Sequence, residues 1–91
     1  MFMSDPHSFF RRRKIEVGRA PREVLAKARR VIEKLEQGQP YWKLRGKRLQ
    51  YDRQRISIPL GPRWRLLADD LDGKLVVREV LSHQNYNIRH P

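Results

Sequence analysis

Cysteine is absent from the 91-residue chain, and so is any long apolar run. Without cysteine there are no disulfide bonds, no thiolate zinc site and no thiol nucleophile. No segment reaches the roughly 20 apolar residues of a membrane-spanning helix, and residues 1–7 lack the apolar stretch of a signal peptide. We therefore expect one small cytoplasmic domain over residues 1–91, with a loose leader at 1–8, a flexible tail at 87–91 and no membrane partner.

Acidic residues are scarce as well. The chain has 10 Asp and Glu against 21 Lys and Arg, which gives a formal net charge of +11. Each cation that meets a nucleic-acid phosphate releases condensed counterions, so this charge favours nucleic acid or a ribonucleoprotein as the partner. An acidic protein would satisfy the same charge. An anionic membrane surface is disfavoured, because no basic amphipathic helix carries bulky apolar anchors.

Residues 21–37 carry the clearest helical pattern. Pro21 suits the first helical turn, and Glu23 complements the positive end of the helix dipole. Gly38 favours a left-handed cap, and Pro40 prevents the helix from continuing. Apolar residues recur here with a 3.6-residue period, which predicts one buried stripe. Its members are Val24, Leu25, Ala28, Val31, Ile32 and Leu35.

Cationic segments lie on both sides of this helix. Residues 9–17 place four cations between apolar pairs, which predicts either a nucleic-acid arm or an edge strand ending at Val17. Residues 41–50 form a basic connector, in which we expect Trp42 to cover the core. Cations interleaved with aromatic residues can bind nucleic acid. The candidates for RNA binding are Lys43, Arg45, Lys47, Arg48 and, further along the chain, Arg63.

From residue 54 the apolar period becomes two, which is typical of half-buried strands. Strands are predicted near 54–59, 63–69 and 74–81, with turns at 61–62 and 70–73, and Pro59 indicates an edge or a bulge. The predicted fold class is α+β, with an N-terminal amphipathic helix packed on an antiparallel β-meander. Trp64, Leu66 and Ala68 then face the helix, and Arg65 lies on the opposite face.

Several kinds of active site are missing from the pattern. There is no glycine-rich phosphate loop, and His7, His83 and His90 are too scattered for a metal site, so we expect no cofactor and no metal. RNA can instead be cleaved by its own 2′-hydroxyl when a protein stabilises phosphate charge and transfers protons. Arg65 suits the first task, His83 suits the second, and Tyr86 could position the substrate or share a proton. Alternatively, His83 is a surface or strand-capping residue.

Three segments resemble the RelE/ParE superfamily of bacterial toxins. Residues 55–67 look like the family's strand, turn and arginine-containing strand. Residues 72–83 look like its next strand, which ends in a histidine, and residues 43–46 look like the connector after its helix. The resemblance covers roughly residues 22–86. It implies a RelE-like fold and a type II toxin–antitoxin pair, in which a cognate acidic antitoxin wraps the toxin.

Members of this superfamily act in two ways. RelE-like members are mRNA endoribonucleases, free or on the ribosome, and ParE-like members poison DNA gyrase. The resemblance implies an mRNA interferase with mRNA or the ribosome as its target. In it, Arg65 corresponds to the phosphate-contacting arginine, His83 to the catalytic histidine, and Tyr86 lies near the terminal tyrosine. The alternative is a non-catalytic member that acts on gyrase or serves as an accessory subunit of a ribonucleoprotein or other complex.

Overall fold

The computed structural model describes residues 7–50 and 52–83. In this part of the chain, four strands form one antiparallel sheet in the order β1-β2-β3-β4. The helix α2 packs on one face of the sheet, so the predicted α+β class is confirmed. The elements in chain order are α1 (Ser8–Arg12), α2 (Arg22–Glu36), a 3-10 turn (Tyr41–Leu44), β1 (Lys47–Arg48), β2 (Arg55–Pro59), β3 (Trp64–Leu71) and β4 (Lys74–Ser82).

The apolar stripe of α2 forms one side of the core. Pro21 precedes the helix in an extended conformation, and Gly38 follows it with φ of 95°. Four of the six predicted residues are buried, and the other two are half-buried and pack against the core. The predicted helix and its buried face are therefore confirmed.

The sheet supplies the other side of the core through alternate residues. Ile56 pairs with Ala68 and Ile58 pairs with Leu66, and all four side chains are fully enclosed beneath α2. Because side chains alternate across a strand, Arg65 lies on the face turned away from α2. This assignment of faces agrees with the sequence pattern.

A β-bulge in β4 keeps the apolar residues on both sides of it facing the core. Leu67 pairs with Glu79 and Ala68 pairs with Val77, which leaves Arg78 as an extra residue on β4. The extra residue reverses the alternation. As a result, Val80 faces the core together with Val77, although their positions in the sequence differ by three.

The turn between β3 and β4 is shorter than the sequence pattern predicts. Pairing in the β3–β4 hairpin reaches Leu71 and Lys74, so only Asp72 and Gly73 form its turn, with φ of 55° and 88°. Positive φ at both positions is what a two-residue hairpin requires. Pro59 lies at an edge, as one alternative had it, because the short β1 pairs only with Ile56 and Ser57.

The N-terminal segment is not a free cationic arm. Phe9 and Phe10 lie in α1 and are buried in the core. Beyond α1, Glu16 forms a single parallel bridge to Glu79 at the edge of β4. The edge-strand alternative is therefore correct for this short stretch only. The helix begins at Ser8, within the segment expected to be a leader, and residues 1–6 lie outside the described residues.

Arg13 connects α1 to the end of α2. Its guanidinium lies 3.6 Å from the centroid of the Phe9 ring and donates to both carboxylate oxygens of Glu36, at 2.7 and 3.1 Å. The hydrogen bond from Arg13 lowers the pKa of Glu36 below its ordinary value. This contact keeps the two helices together where apolar area is limited.

The expectation that Trp42 covers the core is wrong, because its side chain is 65% exposed. Tyr41 and Leu44 pack against the core in its place. Gly46 sets this geometry: it donates to the Tyr41 carbonyl at 2.9 Å, and a Cβ there would lie 2.8 Å from that oxygen. The close approach turns Tyr41 inward and leaves its neighbour Trp42 on the surface.

Replacing Ile32 by Asp should unfold the domain. Ile32 is 1% exposed, and an unpaired buried charge costs several kcal/mol or more, against a total stability of about 5–15 kcal/mol. Circular dichroism during thermal denaturation measures the effect. Arg30→Asp, on the exposed side of the same helix, is the control and should retain a cooperative transition. A folded Ile32→Asp protein would contradict the burial of Ile32 in the core.

Glu36→Gln should destabilise the protein at neutral pH but not in acid. Because Arg13 depresses the folded-state pKa of Glu36, the ion pair contributes fully above about pH 5 and is lost as pH falls below about 4. Urea unfolding at pH 7 and at about pH 3 measures the difference between the two proteins. That difference should shrink in acid, and a constant difference would show that the charge of Glu36 has no part in it.

Candidate functional site

The sheet face turned away from α2, which we call the Arg65 face, carries the sequence-predicted catalytic residues that the structure describes. Arg65 lies on β3, and His83 follows directly after β4. Trp64 pairs with Ser82, so the end of β4 lies beside the start of β3. The backbone N–H of His83 donates to the Arg63 carbonyl at 2.6 Å and extends this pairing by one step. Antiparallel pairing therefore brings Arg65 and His83 together.

The guanidinium of Arg65 donates hydrogen bonds to the side chains of Ser57 and His83. Its Nη1 donates to Ser57 Oγ at 3.1 Å, and its Nε donates to His83 Nδ1 at 3.5 Å. Ser57 is 2% exposed, and it is the buried polar side chain of the described residues. Such a buried hydroxyl gives the guanidinium a fixed acceptor, while His83 stays on the surface.

This cluster has defined chemical properties. A guanidinium presents a planar set of donors that matches phosphate oxygens. Because His83 Nδ1 accepts the hydrogen bond from Arg65, a neutral imidazole in this pair carries its proton on Nε2. Arg65 and His83 lie close enough together to act on the same phosphate. Arg65 can stabilise its negative charge, and His83 can transfer a proton.

A second cluster occupies the same face further along β3. Asp69 accepts a hydrogen bond from Arg78 Nε at 2.8 Å and lies 3.4 Å from Arg55 Nε. The carboxylate of Asp69 on β3 thus lies between a cation of β2 and a cation of β4, and these contacts hold the three strands together.

Comparison with known families decides the identity of the chain. A family model of the ParE-like toxin domain matches residues 22–88. The chain belongs to this family. No curated protein and no solved structure shows a significant match. The protein is thus a toxin of a toxin–antitoxin system within the RelE/ParE superfamily, as the three sequence segments indicated.

The cations of the basic connector, residues 41–50, do not all lie on one surface of the toxin. Lys47 pairs with Ser57 and therefore lies on the Arg65 face, and Lys43 and Arg45 are exposed on and after the 3-10 turn. Arg48 instead lies on the α2 side, where its guanidinium donates to Asp70 at 2.7 Å and to the Arg53 carbonyl. The bond from Arg48 lowers the pKa of Asp70 and makes Arg48 a structural residue in this state.

Arg63 and Tyr86 are the remaining site residues predicted from the sequence. Arg63 is exposed, and its carbonyl holds the backbone of His83. Tyr86 lies outside the described residues, so its role remains a prediction. Ser57 was missed as a site residue, although its position between Ile56 and Ile58 in an alternating strand already places it on the face of Arg65.

Two further properties concern the described part of the toxin. It contains no group of three or more His, Asp or Glu side chains that could hold a metal ion. None of its helices is long and apolar enough to cross a membrane.

Proposed function

We propose that this toxin acts as an mRNA endoribonuclease whose reaction centre is the pair Arg65 and His83. The observation that carries the proposal is the 3.5 Å contact between the guanidinium of Arg65 and the imidazole of His83. A cation for phosphate charge and a group for proton transfer are the two requirements of cleavage by the RNA's own 2′-hydroxyl. The exposed side chain of His83 is accessible to a substrate on this face.

The reaction would proceed within one phosphodiester. The 2′-oxygen forms a bond to phosphorus and the bond from phosphorus to the 5′-oxygen breaks, which leaves a 2′,3′-cyclic phosphate and a 5′-hydroxyl. Arg65 stabilises the added negative charge on the phosphoryl oxygens. His83 in its imidazolium form donates its Nε2 proton to the departing 5′-oxygen and is left as the neutral imidazole, and the 2′-hydroxyl proton passes to water. By the resemblance, Tyr86 positions the RNA.

A non-catalytic toxin that acts on gyrase is the second candidate. One observation favours it: the matched family model is the ParE-like one. In that case the Arg65 face serves as a basic binding surface. The two candidates differ in whether Arg65 and His83 are needed for chemistry.

Arg65→Ala and His83→Ala should each lower the rate of RNA cleavage about a hundredfold or more without unfolding the protein. Single-turnover cleavage of mRNA, with and without ribosomes, measures the rate, and circular dichroism checks the fold. Arg78→Ala is the matched control, because it removes a cation of the same face that is bound to Asp69 rather than to His83. Expression of the wild type should arrest growth, and both site variants should relieve the arrest.

Other outcomes would reject the endoribonuclease. If the wild type arrests growth by inhibiting gyrase supercoiling and leaves mRNA intact, the second candidate is correct. If it neither cleaves mRNA nor arrests growth, the Arg65 face is a binding surface only.

RNA affinity should fall steeply with salt concentration, and the exposed cations of the connector should account for part of the slope. Each phosphate contact contributes about 0.7 to the slope of log affinity against log salt for single strands. Replacing Lys43, Arg45 and Lys47 by Ala should flatten it, and Arg48 is left in place because it holds Asp70. Filter binding at several salt concentrations measures the slope.

A second triple variant separates local contacts from net charge. Lys27, Arg30 and Lys34 are exposed on α2, and their replacement by Ala removes the same charge from another surface. Equal losses of RNA affinity in the two triple variants would mean that the connector has no contact of its own.

A further inference from the structure

The helical layer of the toxin, residues 7–40, carries a second cationic surface. It has ten Lys and Arg against four Glu, a net charge of +6, which is more than half of the +11 of the whole chain. Because α2 packs on the face of the sheet opposite to Arg65, the outer side of this layer points away from Arg65 and His83. Phosphate binding by that pair therefore does not account for these charges.

Three of the cations form a ridge along the exposed side of α2. Lys27, Arg30 and Lys34 are exposed, and their spacing of three and four residues places them on one side of the helix. At 1.5 Å per residue the ridge is about 10 Å long. Within the described residues none of the three forms an ion pair, whereas Arg29 of the same helix lies 3.4 Å from Glu33. The ridge thus keeps its three positive charges for a partner.

The side of α2 opposite to the ridge holds it in place. Ala28 and Ile32 are almost fully enclosed and pack in the core, so α2 cannot turn without exposing them. The end of the helix is joined to the segment after α1 by the ion pair of Arg13 and Glu36 at 2.7 Å. The ridge is therefore formed in the free protein, which lowers the cost of ordering its backbone when a ligand binds.

The composition of the helical surface selects the class of partner. Trp42 and Leu71 are the exposed large apolar side chains of the described residues, and both lie outside residues 7–40. Protein interfaces place apolar and aromatic residues at their centre, and basic helices that bind membranes insert apolar side chains. A cationic surface without such anchors suits the phosphates of a nucleic acid, because ionic contacts alone supply that affinity.

The same composition favours duplex DNA over RNA. Sites for single strands add aromatic side chains on which bases stack, and the aromatic residues of α1, Phe9 and Phe10, are buried. Helix α2 contains no Ser, Thr, Asn or Gln that could bond to a 2′-hydroxyl. Each strand of B-form DNA presents one phosphate per about 3.4 Å of axis, so about three phosphates lie beside a ridge of this length.

We propose that the exposed side of α2 binds the phosphate backbone of double-stranded DNA, and that Lys27, Arg30 and Lys34 contact successive phosphates without regard to sequence. DNA bound there leaves the Arg65 face accessible, because the sheet separates the two surfaces. DNA binding on α2 does not depend on the endoribonuclease activity. Loss of DNA binding and loss of RNA cleavage are therefore separate results.

The test measures binding of the full-length toxin to a short fluorescent DNA duplex of arbitrary sequence, by anisotropy at several salt concentrations. Replacing Lys27, Arg30 and Lys34 by Ala should weaken binding about tenfold or more at low salt. It should also reduce the slope of log affinity against log salt by about 2 to 3, since each lost contact with B-form DNA removes about 0.9. Circular dichroism checks the fold.

Two matched variants separate local contacts from net charge. Removal of three cations from the connector, residues 41–50, takes away the same charge and should weaken duplex binding less than about threefold. The charge-preserving triple variant Lys27→Arg, Arg30→Lys and Lys34→Arg should bind duplex DNA as the wild type does. With oligouridylate, a single strand without a duplex, the order should reverse, and the connector variant should be the weaker of the two Ala variants.

Several outcomes would overturn the proposal. Equal weakening of duplex binding by the two Ala variants would show that net charge alone attracts DNA. Displacement of the duplex by polyglutamate as readily as by unlabelled DNA would assign the ridge to an acidic protein. A duplex of RNA that binds about tenfold more tightly than the DNA duplex, with the difference lost in the Ala variant of α2, would assign the ridge to folded RNA.

Discussion

The apolar stripe of α2 is buried against one face of the sheet. This contact decides which residues of each strand face the core, and it therefore decides on which face the cations of the strands lie. Burial of apolar surface stabilises by roughly 25 cal/mol per Å², and Ile32, Ile56, Ile58 and Leu66 are each almost completely enclosed. Alternation along β3 then assigns the neighbours of Leu66 to the other face. Arg65 reaches its partners because its position on β3 is fixed by core packing.

A small chain with a charge of +11 opposes its own compaction, and its acidic residues are placed where this matters. Glu36 joins α2 to Arg13, Asp70 joins β3 to Arg48, and Asp69 lies between cations of β2 and β4. Ion pairs of partly exposed residues each contribute little to the free energy of unfolding. Their value lies in joining separate elements at points where the apolar core is thin.

The sequence predicted those features that depend on local periodicity. The α2 stripe and the alternation at Ile56, Ile58 and Leu66 each identify an element and its buried face. The features that it did not predict depend on contacts between distant residues. The exposure of Trp42 follows from the close approach of Gly46 to Tyr41, and the burial of Phe9 from the need to close the core. In the sequence Arg48 resembles its cationic neighbours. Only the fold shows that it is paired with Asp70, 22 positions away.

The strand β4 is common to the two surfaces of the molecule, and its bulge separates them. Before Arg78, β4 lines an apolar groove whose charges are mostly paired. After it, β4 leads to His83 on a face rich in arginine. The bulge allows Leu75, Val77 and Val80 to stay in the core on both sides of this division. A strand of nine residues thereby lines an apolar groove at one end and leads to the pair of Arg65 and His83 at the other. The same core packing holds both ends of β4 in place, because Val77 and Val80 lie on either side of the bulge and both pack in the core.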